Sequence, residues 1–199
     1  MSLRWLMSRC PACRGIVLPF SSAGQMCQSE DFMIIQIAPV TPADVDAVAA
    51  LARVVWQQAY ADIISPAQID YMLEQRYNAP RLLAELDTAG IWWDKVLCDG
   101  HLTAFASTQL TGTPGEMKLD KLYVDPLQQR LGLGGQLIDL VAQRARTLGL
   151  DTLILAVNKN NARALGAYRK HGFVEREAVC VEIGNGFVMD DFIMAKSLH

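Results

Sequence analysis

Beyond residue 32 the chain alternates between short apolar runs and longer amphipathic stretches, and each period predicts an element. "MIIQIAPV", residues 33–40, has strand length and composition. Thr41 then stands as a helix cap with Pro42 at the first helical position, where a fixed φ and a missing N–H cost nothing. Val45, Val48, Ala49, Leu51, Ala52, Val55 and Trp56 follow at helical spacing and predict a helix with one apolar stripe. "ISPAQIDYMLEQRY" repeats that grammar, with Ser65 as cap, Pro66 after it, and Ile69, Met72 and Leu73 on one face. A further helical piece spans residues 80–86.

Three strands are predicted next, at 91–98, 101–109 and 116–124, with Asp99-Gly100 as a tight hairpin turn. A helix over 132–148 carries Leu133, Leu137, Val141, Ala145 and Leu148 on one side and stops at Gly149. "TLILAV", residues 152–157, is apolar on both faces, as a buried parallel strand is. A helix over 161–171 ends at Gly172, and two last strands, 173–183 and 187–194, turn at Gly184-Asn185-Gly186. Helices flanking a mixed sheet make this an α/β fold.

Residues 1–32 show no helical or strand period, carry Arg4, Arg9 and Arg14 without an acid before Glu30, and are expected to form a tail outside a single domain spanning 33–199. The apolar stretch 15–20 is too short for the core of a secretory signal. "CPAC" gives Cys10 and Cys13 the spacing of half a zinc site, but no second ligand pair follows, so no metal is expected. Five cysteines in a chain of 199 residues require no disulfide framework, and a reducing cytoplasm is the expected setting. The net charge of −3 argues against nucleic acid as a partner, and no run approaches the length needed to span a bilayer.

Candidate chemistry centres on "DPLQQRLGLGG", residues 125–135. Pro126 ends the preceding strand, and Gly132, Gly134 and Gly135 strip side chains from the first turn of the following helix. Its unsatisfied N–H groups and positive dipole end then suit a phosphate or pyrophosphate. A nucleoside-triphosphate loop would need a Lys within 132–136, and a dinucleotide fingerprint a third glycine where Leu137 stands; neither is present. A glycine-rich helix start kept for close packing is the alternative from the loop alone.

"QRLGLG", residues 129–134, resembles the Gln/Arg-x-x-Gly-x-Gly/Ala signature of the GCN5-related N-acetyltransferases. "LILAVNKNNARALGAYRKHGF" resembles the second half of that family's cofactor site, with Val157, Asn161, Ala164, Tyr168 and Gly172-Phe173 at the family's spacing. The similarity covers about residues 33–198. It implies a mostly antiparallel mixed sheet with two splayed parallel strands forming a coenzyme A cleft. Acetyl-CoA is then the implied cosubstrate. Its pyrophosphate would rest on Gln129, Arg130, Leu131, Gly132, Leu133, Gly134 and Gly135, and its pantetheine arm would lie along Leu122, Tyr123 and Val124, with Asn161 and Tyr168 opposite.

The implied reaction is direct attack of a primary amine on the thioester. Tyr168 matches the family's proton donor to the thiolate, Val124 supplies a main-chain N–H for the oxyanion, and Asp120 stands where many relatives carry a general base. Glu116 and Glu74 are further candidates for that base. "WQQAYADIISPAQIDYML" and "GFVMDDFIMAKSL" resemble the branch that includes bacterial polyamine acetyltransferases, with Trp56 and Tyr60 walling an acceptor site and Asp62, Asp70 and Glu74 lending negative potential. The resemblance thus implies a small amine or peptidyl amine as partner and admits a homodimer. The alternative from another class is a domain that binds acyl-CoA as a sensor without turnover.

Overall fold

A computed structural model describes residues 15–19 and 32–199. Eight strands form one sheet in the order β1-β2-β3-β4-β5-β6-β8-β7. These are β1 (Gly15–Pro19), β2 (Phe32–Pro39), β3 (Ile91–Cys98), β4 (His101–Leu110), β5 (Glu116–Val124), β6 (Thr152–Asn158), β7 (Val174–Gly184) and β8 (Phe187–Ser197). The helices are α1 (Val45–Ala59), α2 (Pro66–Arg76), α3 (Ala79–Leu86), α4 (Leu133–Thr147) and α5 (Ala162–Lys170). No helix among the described residues is long and apolar enough to cross a membrane.

The local signals act as their chemistry requires. Ser65 accepts a hydrogen bond from the Gln68 N–H at 3.2 Å and opens α2, and Asn78 does the same for α3 through Arg81 at 2.9 Å. Thr41 and Pro42 instead open a single 3-10 turn, Pro42–Asp44, closed by a capping box with Asp44, and α1 starts after it. Asp99 and Gly100 both take positive φ, the conformation that a two-residue hairpin between β3 and β4 demands.

Two apolar layers bury the faces of the sheet. On one, Leu137, Val141 and Ala145 of α4 and Leu165 of α5 pack on Met117, Leu153, Leu155 and Met194. On the other, Val48, Leu51, Ala52 and Val55 of α1 and Met72 and Leu73 of α2 pack on Trp93 and Phe105. Asp94, 4% exposed, is held by both guanidinium nitrogens of Arg144 at 2.6 and 2.7 Å, which ties β3 to α4 with a paired buried charge.

The expected tail differs from the structure at one segment. Five residues of the segment expected to stand outside the fold, Gly15–Pro19, pair antiparallel with β2 from Gly15 opposite Gln36 to Pro19 opposite Phe32. So short a run shows no period of its own; its ladder exists because β2 has a free edge, a partner far along the chain. Cys10, Cys13 and Cys27 lie outside the described residues, while Cys98 is buried and Cys180 exposed, both as free thiols.

The feature that makes the site is the one parallel pairing among the described residues. β5 and β6 pair only from Glu116–Thr152 to Lys118–Ile154, after which they part. β5 stays on β4 to its end, where Val124 lies opposite Ala104, and β6 stays on β8 to Asn158 opposite Asp191. The sheet therefore opens into a V whose inner edges are unpaired backbone.

Candidate functional site

A cleft of about 480 Å³ fills the V and is walled by the ends of α1, α4 and α5. Of the sequence-predicted residues, Asp120, Leu122, Tyr123, Val124, Gln129, Gly134, Gly135, Asn161 and Tyr168 line it together. Arg130, Leu131, Gly132 and Leu133 do not. Leu133 is 1% exposed and packs in the core, and Leu131 packs against the same cluster. Arg130 and Gly132 take positive φ, +72° and +77°, and shape the turn that aims α4.

At the start of α4 no side chain caps the helix, and Gly132 precedes it in the left-handed region. The N–H groups of Leu133, Gly134 and Gly135 therefore keep no intrahelical acceptor, and the positive end of the helix dipole opens on the cleft. A Cβ on Gly134 would meet only Val124 Cγ2 at 3.6 Å, whereas one on Gly135 would come within 2.7 Å of His171 Cε1. Gly135 thus allows α4 to approach the end of α5 closely, and Gly134 leaves open space.

β5 supplies the second half. Asp125 N–H donates to Thr103 O at 2.7 Å, so the alternation of an antiparallel ladder turns the N–H groups of Leu122 and Val124 away from β4 and into the V. Gln129 Nε2 donates to Val124 O at 3.3 Å, and its Oε1 accepts from Arg163 of α5. Gln129 thereby ties the loop to both arms. Asn161 caps α5 by accepting from the Ala164 N–H at 3.1 Å.

Arg163 was not among the expected site residues. A cation in the first turn of a helix opposes the dipole, and this one lines the same cleft as the first turn of α4. Two positive features meeting on one cavity suit an anion between them. That misplaced charge is the signal that the sequence carried.

The catalytic candidates separate. Tyr168 packs edge-on against Phe173, ring centroids 5.7 Å apart, and lines the cleft. Burial, with Tyr60 nearby, holds its hydroxyl well above the ordinary phenol range, so it keeps its proton at neutral pH. Asp120 is the extra residue of a β-bulge, lying between Leu119 opposite Thr108 and Lys121 opposite Ser107. The bulge brings Lys121 Nζ to 2.8 Å from its carboxylate, with Arg76 at 2.7 Å and Lys118 at 2.9 Å.

Burial alone would raise the Asp120 pKa, but Lys121, Arg76 and Lys118 outweigh it and hold the carboxyl well below the usual range. A carboxylate so stabilised binds a proton weakly and makes a poor general base. Asp120 is therefore held as an ionic anchor at the site, which weighs against the general-base role expected from its position. Glu116 is buried at the closed end of the V with Arg176 at 2.5 Å, and Glu74 is exposed outside the cleft.

Trp56 and Tyr60 stack with centroids 4.5 Å apart, and Trp56 Nε1 donates to Tyr123 Oη at 3.1 Å. Tyr60 lines the cleft while Trp56 is 3% exposed, so only Tyr60 walls the cavity directly. Asp62, Asp70 and Glu74 are exposed and do not line it, and Asp70 lies 3.7 Å from Arg53.

The sequence profile of the Acetyltransferase (GNAT) family matches residues 50–173, more than half of the chain. A spermidine N(1)-acetyltransferase of Thermoplasma acidophilum is 25% identical over 168 residues, covering 82% of this chain and 98% of the relative. A [ribosomal protein bS18]-alanine N-acetyltransferase of Salmonella typhimurium is 38% identical over 81 residues, 41% of this chain and 53% of that one. Among solved structures, PaiA N-acetyltransferase from Thermoplasma acidophilum in complex with coenzyme A superposes with a TM-score of 0.71 at 24% identity, over 82% of this chain and 98% of that chain.

Proposed function

Because the chain belongs to the Acetyltransferase (GNAT) family and is an acetyl-CoA-dependent N-acetyltransferase, we propose that it moves the acetyl group to a primary amine of a small molecule or peptide by direct attack. The observation carrying this reading is the meeting, in one cleft, of uncapped N–H groups at the start of α4, an unpaired edge of β5, and the protonated hydroxyl of Tyr168.

The residues fit the cosubstrate part by part. The N–H groups of Leu133, Gly134 and Gly135, with Arg163, would hold the pyrophosphate. The edge of Leu122 and Val124 would pair with the amides of the pantetheine arm, as a sheet edge takes an added strand. The thioester supplies an activated acyl carbon, and the Val124 N–H would stabilise the charge that develops on its oxygen. Tyr168 would return a proton to the departing sulfur. The acceptor enters past Tyr60, and the relatives acting on spermidine and on a ribosomal-protein alanine support an amine there.

Thiol release from acetyl-CoA with spermidine, small primary amines and a peptide bearing an N-terminal alanine tests the reading. Turnover with one class and not the others identifies the acceptor. Thermal stabilisation by acetyl-CoA with no thiol release from any amine would instead make this domain an acyl-CoA binder.

Gly134→Glu tests the cradle separately. Its Cβ has ordinary room, and an acid in the first turn of a helix is favourable, so the fold should melt at or slightly above the wild-type temperature. The carboxylate would stand in the anion site, and acetyl-CoA affinity is expected to fall by at least a hundredfold, which corresponds to about 2.8 kcal/mol. Unchanged affinity by calorimetry would remove the phosphate role from α4.

A further inference from the structure

Asp120, bound to three cations, leaves the acceptor amine without an evident proton acceptor. A second carboxylate stands on the same side of the sheet. Met194 of β8 is buried in the α4 layer and Phe192 packs against that layer, so the strand alternation turns Asp191 and Ile193 to the opposite face, toward α1 and α2. On β6, Ala156 and Asn158 share that face, with Ala156 opposite Ile193 and Asn158 opposite Asp191. Ala156 lines the cleft, which places Asp191 at the wide end of the V, one ladder step beyond the cavity wall.

The surroundings of Asp191 contrast with those of Asp120. Its Oδ1 is buried and has no hydrogen-bond partner among the described residues. The charged and titratable groups that act on it are Asp190 on its own strand, Lys118 of β5, Lys159 after β6, and Tyr60 at the end of α1. Both cations are engaged elsewhere, Lys159 with Asp190 and Lys118 with Asp120. Burial and the neighbouring Asp190 raise its pKa despite the lysines. The Tyr60 hydroxyl is pushed up to about 12 by burial and by the nearby charge of Asp191, while a hydrogen bond with Asn161 acts the other way. Two carboxylates, one lining the cleft and one just beyond its wall, whose environments drive their proton affinities apart mark a division of roles.

We propose that Asp191 takes up, through the Tyr60 hydroxyl or a water held beside it, the proton that the acceptor ammonium loses before attack. The N–H bond breaks, an O–H bond forms on the Asp191 carboxylate, and the freed lone pair on nitrogen attacks the acyl carbon. As the C–S bond breaks, Tyr168 supplies a different proton to sulfur, and the second proton that the nitrogen loses in becoming an amide restores the Tyr168 hydroxyl through water, so the first proton loss and the proton gain fall on opposite sides of the reacting atoms. Asp191 acts through Tyr60 or that water and does not itself line the cavity. The inference rests on the acetyltransferase reading of the cleft.

The test compares wild type, Asp191→Asn, Asp191→Glu and Tyr60→Phe in thiol release from acetyl-CoA across pH 5 to 9, with whichever amine in the panel the wild type acetylates. Asp191→Asn should lower kcat/KM for the amine by roughly a hundredfold at pH 7 and abolish the fall in rate on the acid side, with acetyl-CoA affinity unchanged. Asp191→Glu should restore part of the rate, and Tyr60→Phe should lower it without removing the acid limb. The Asn variant removes a carboxylate whose buried Oδ1 has no partner among the described residues, so its melting temperature should stay close to that of wild type. An Asn variant with the wild-type rate and acid limb overturns the inference and leaves the acetyltransferase reading standing. A wild type that acetylates no amine removes both. A carboxyl NMR titration placing Asp191 at or below an ordinary aspartate overturns the inference without reference to turnover.

Discussion

Asp120→Asn is expected to destabilise the fold by about 3 kcal/mol at pH 7, because it leaves Arg76, Lys118 and Lys121 around a site that no longer carries charge. The Asp120 side chain is 6% exposed and Lys121 1%, so water offers little compensation. Lys121 keeps Glu85 at 2.8 Å, and Arg76 and Lys118 are partly open, which holds the loss at the lower end for a broken buried pair. In a domain of this size the melting temperature should fall by roughly 6–12 °C.

The pH dependence has a definite sign. The carboxyl of Asp120 is held below its unfolded value of ~3.9, so its stabilisation is complete above that value and is lost as pH falls through the folded pKa. Wild type should therefore lose stability steeply in acid, and the gap to Asp120→Asn should narrow there. Urea unfolding at pH 7 and in acid measures both, and equal midpoints at pH 7 would refute the anchoring role. At temperatures where both proteins are folded, Asp120→Asn should keep kcat/KM within about tenfold of wild type, since loss of a general base would cost 10²–10⁴.

That contrast shows what the sequence made legible. The strand expectations for 91–98 and 116–124 coincide with β3 and β5, because length, alternation and a bounding turn are all local. The glycine loop and the caps Ser65 and Asn161 were equally readable, each being a short-range hydrogen-bond device. The ionic state of Asp120 was not, since it depends on Arg76 forty-four residues away and on a bulge set by the β4 register. Asp191 was hidden for a related reason: alternation assigns it a face, but only the pairing of β8 with β6 places that face beside the V. Strand β1 was missed because a five-residue ladder on a free edge is defined by its partner.

Tyr168→Phe is expected to lower kcat by about 10²-fold while leaving the KM for acetyl-CoA within about twofold, because it removes a proton donor used only as the sulfur departs. The substitution retains the ring that packs on Phe173, so the wall of the cleft should hold its shape. The hydroxyl stays protonated from pH 6 to 9, since burial and Tyr60 hold it well above the ordinary phenol range. Titration of Tyr168 therefore cannot produce a basic limb, and the variant should show the wild-type pH profile displaced downward by a constant factor. Thiol release at saturating amine from pH 6 to 9 provides the measurement. A rate within twofold of wild type at every pH would reduce Tyr168 to a packing residue, and a changed profile shape would mean that its hydroxyl governs the ionisation of another group instead of donating its own proton.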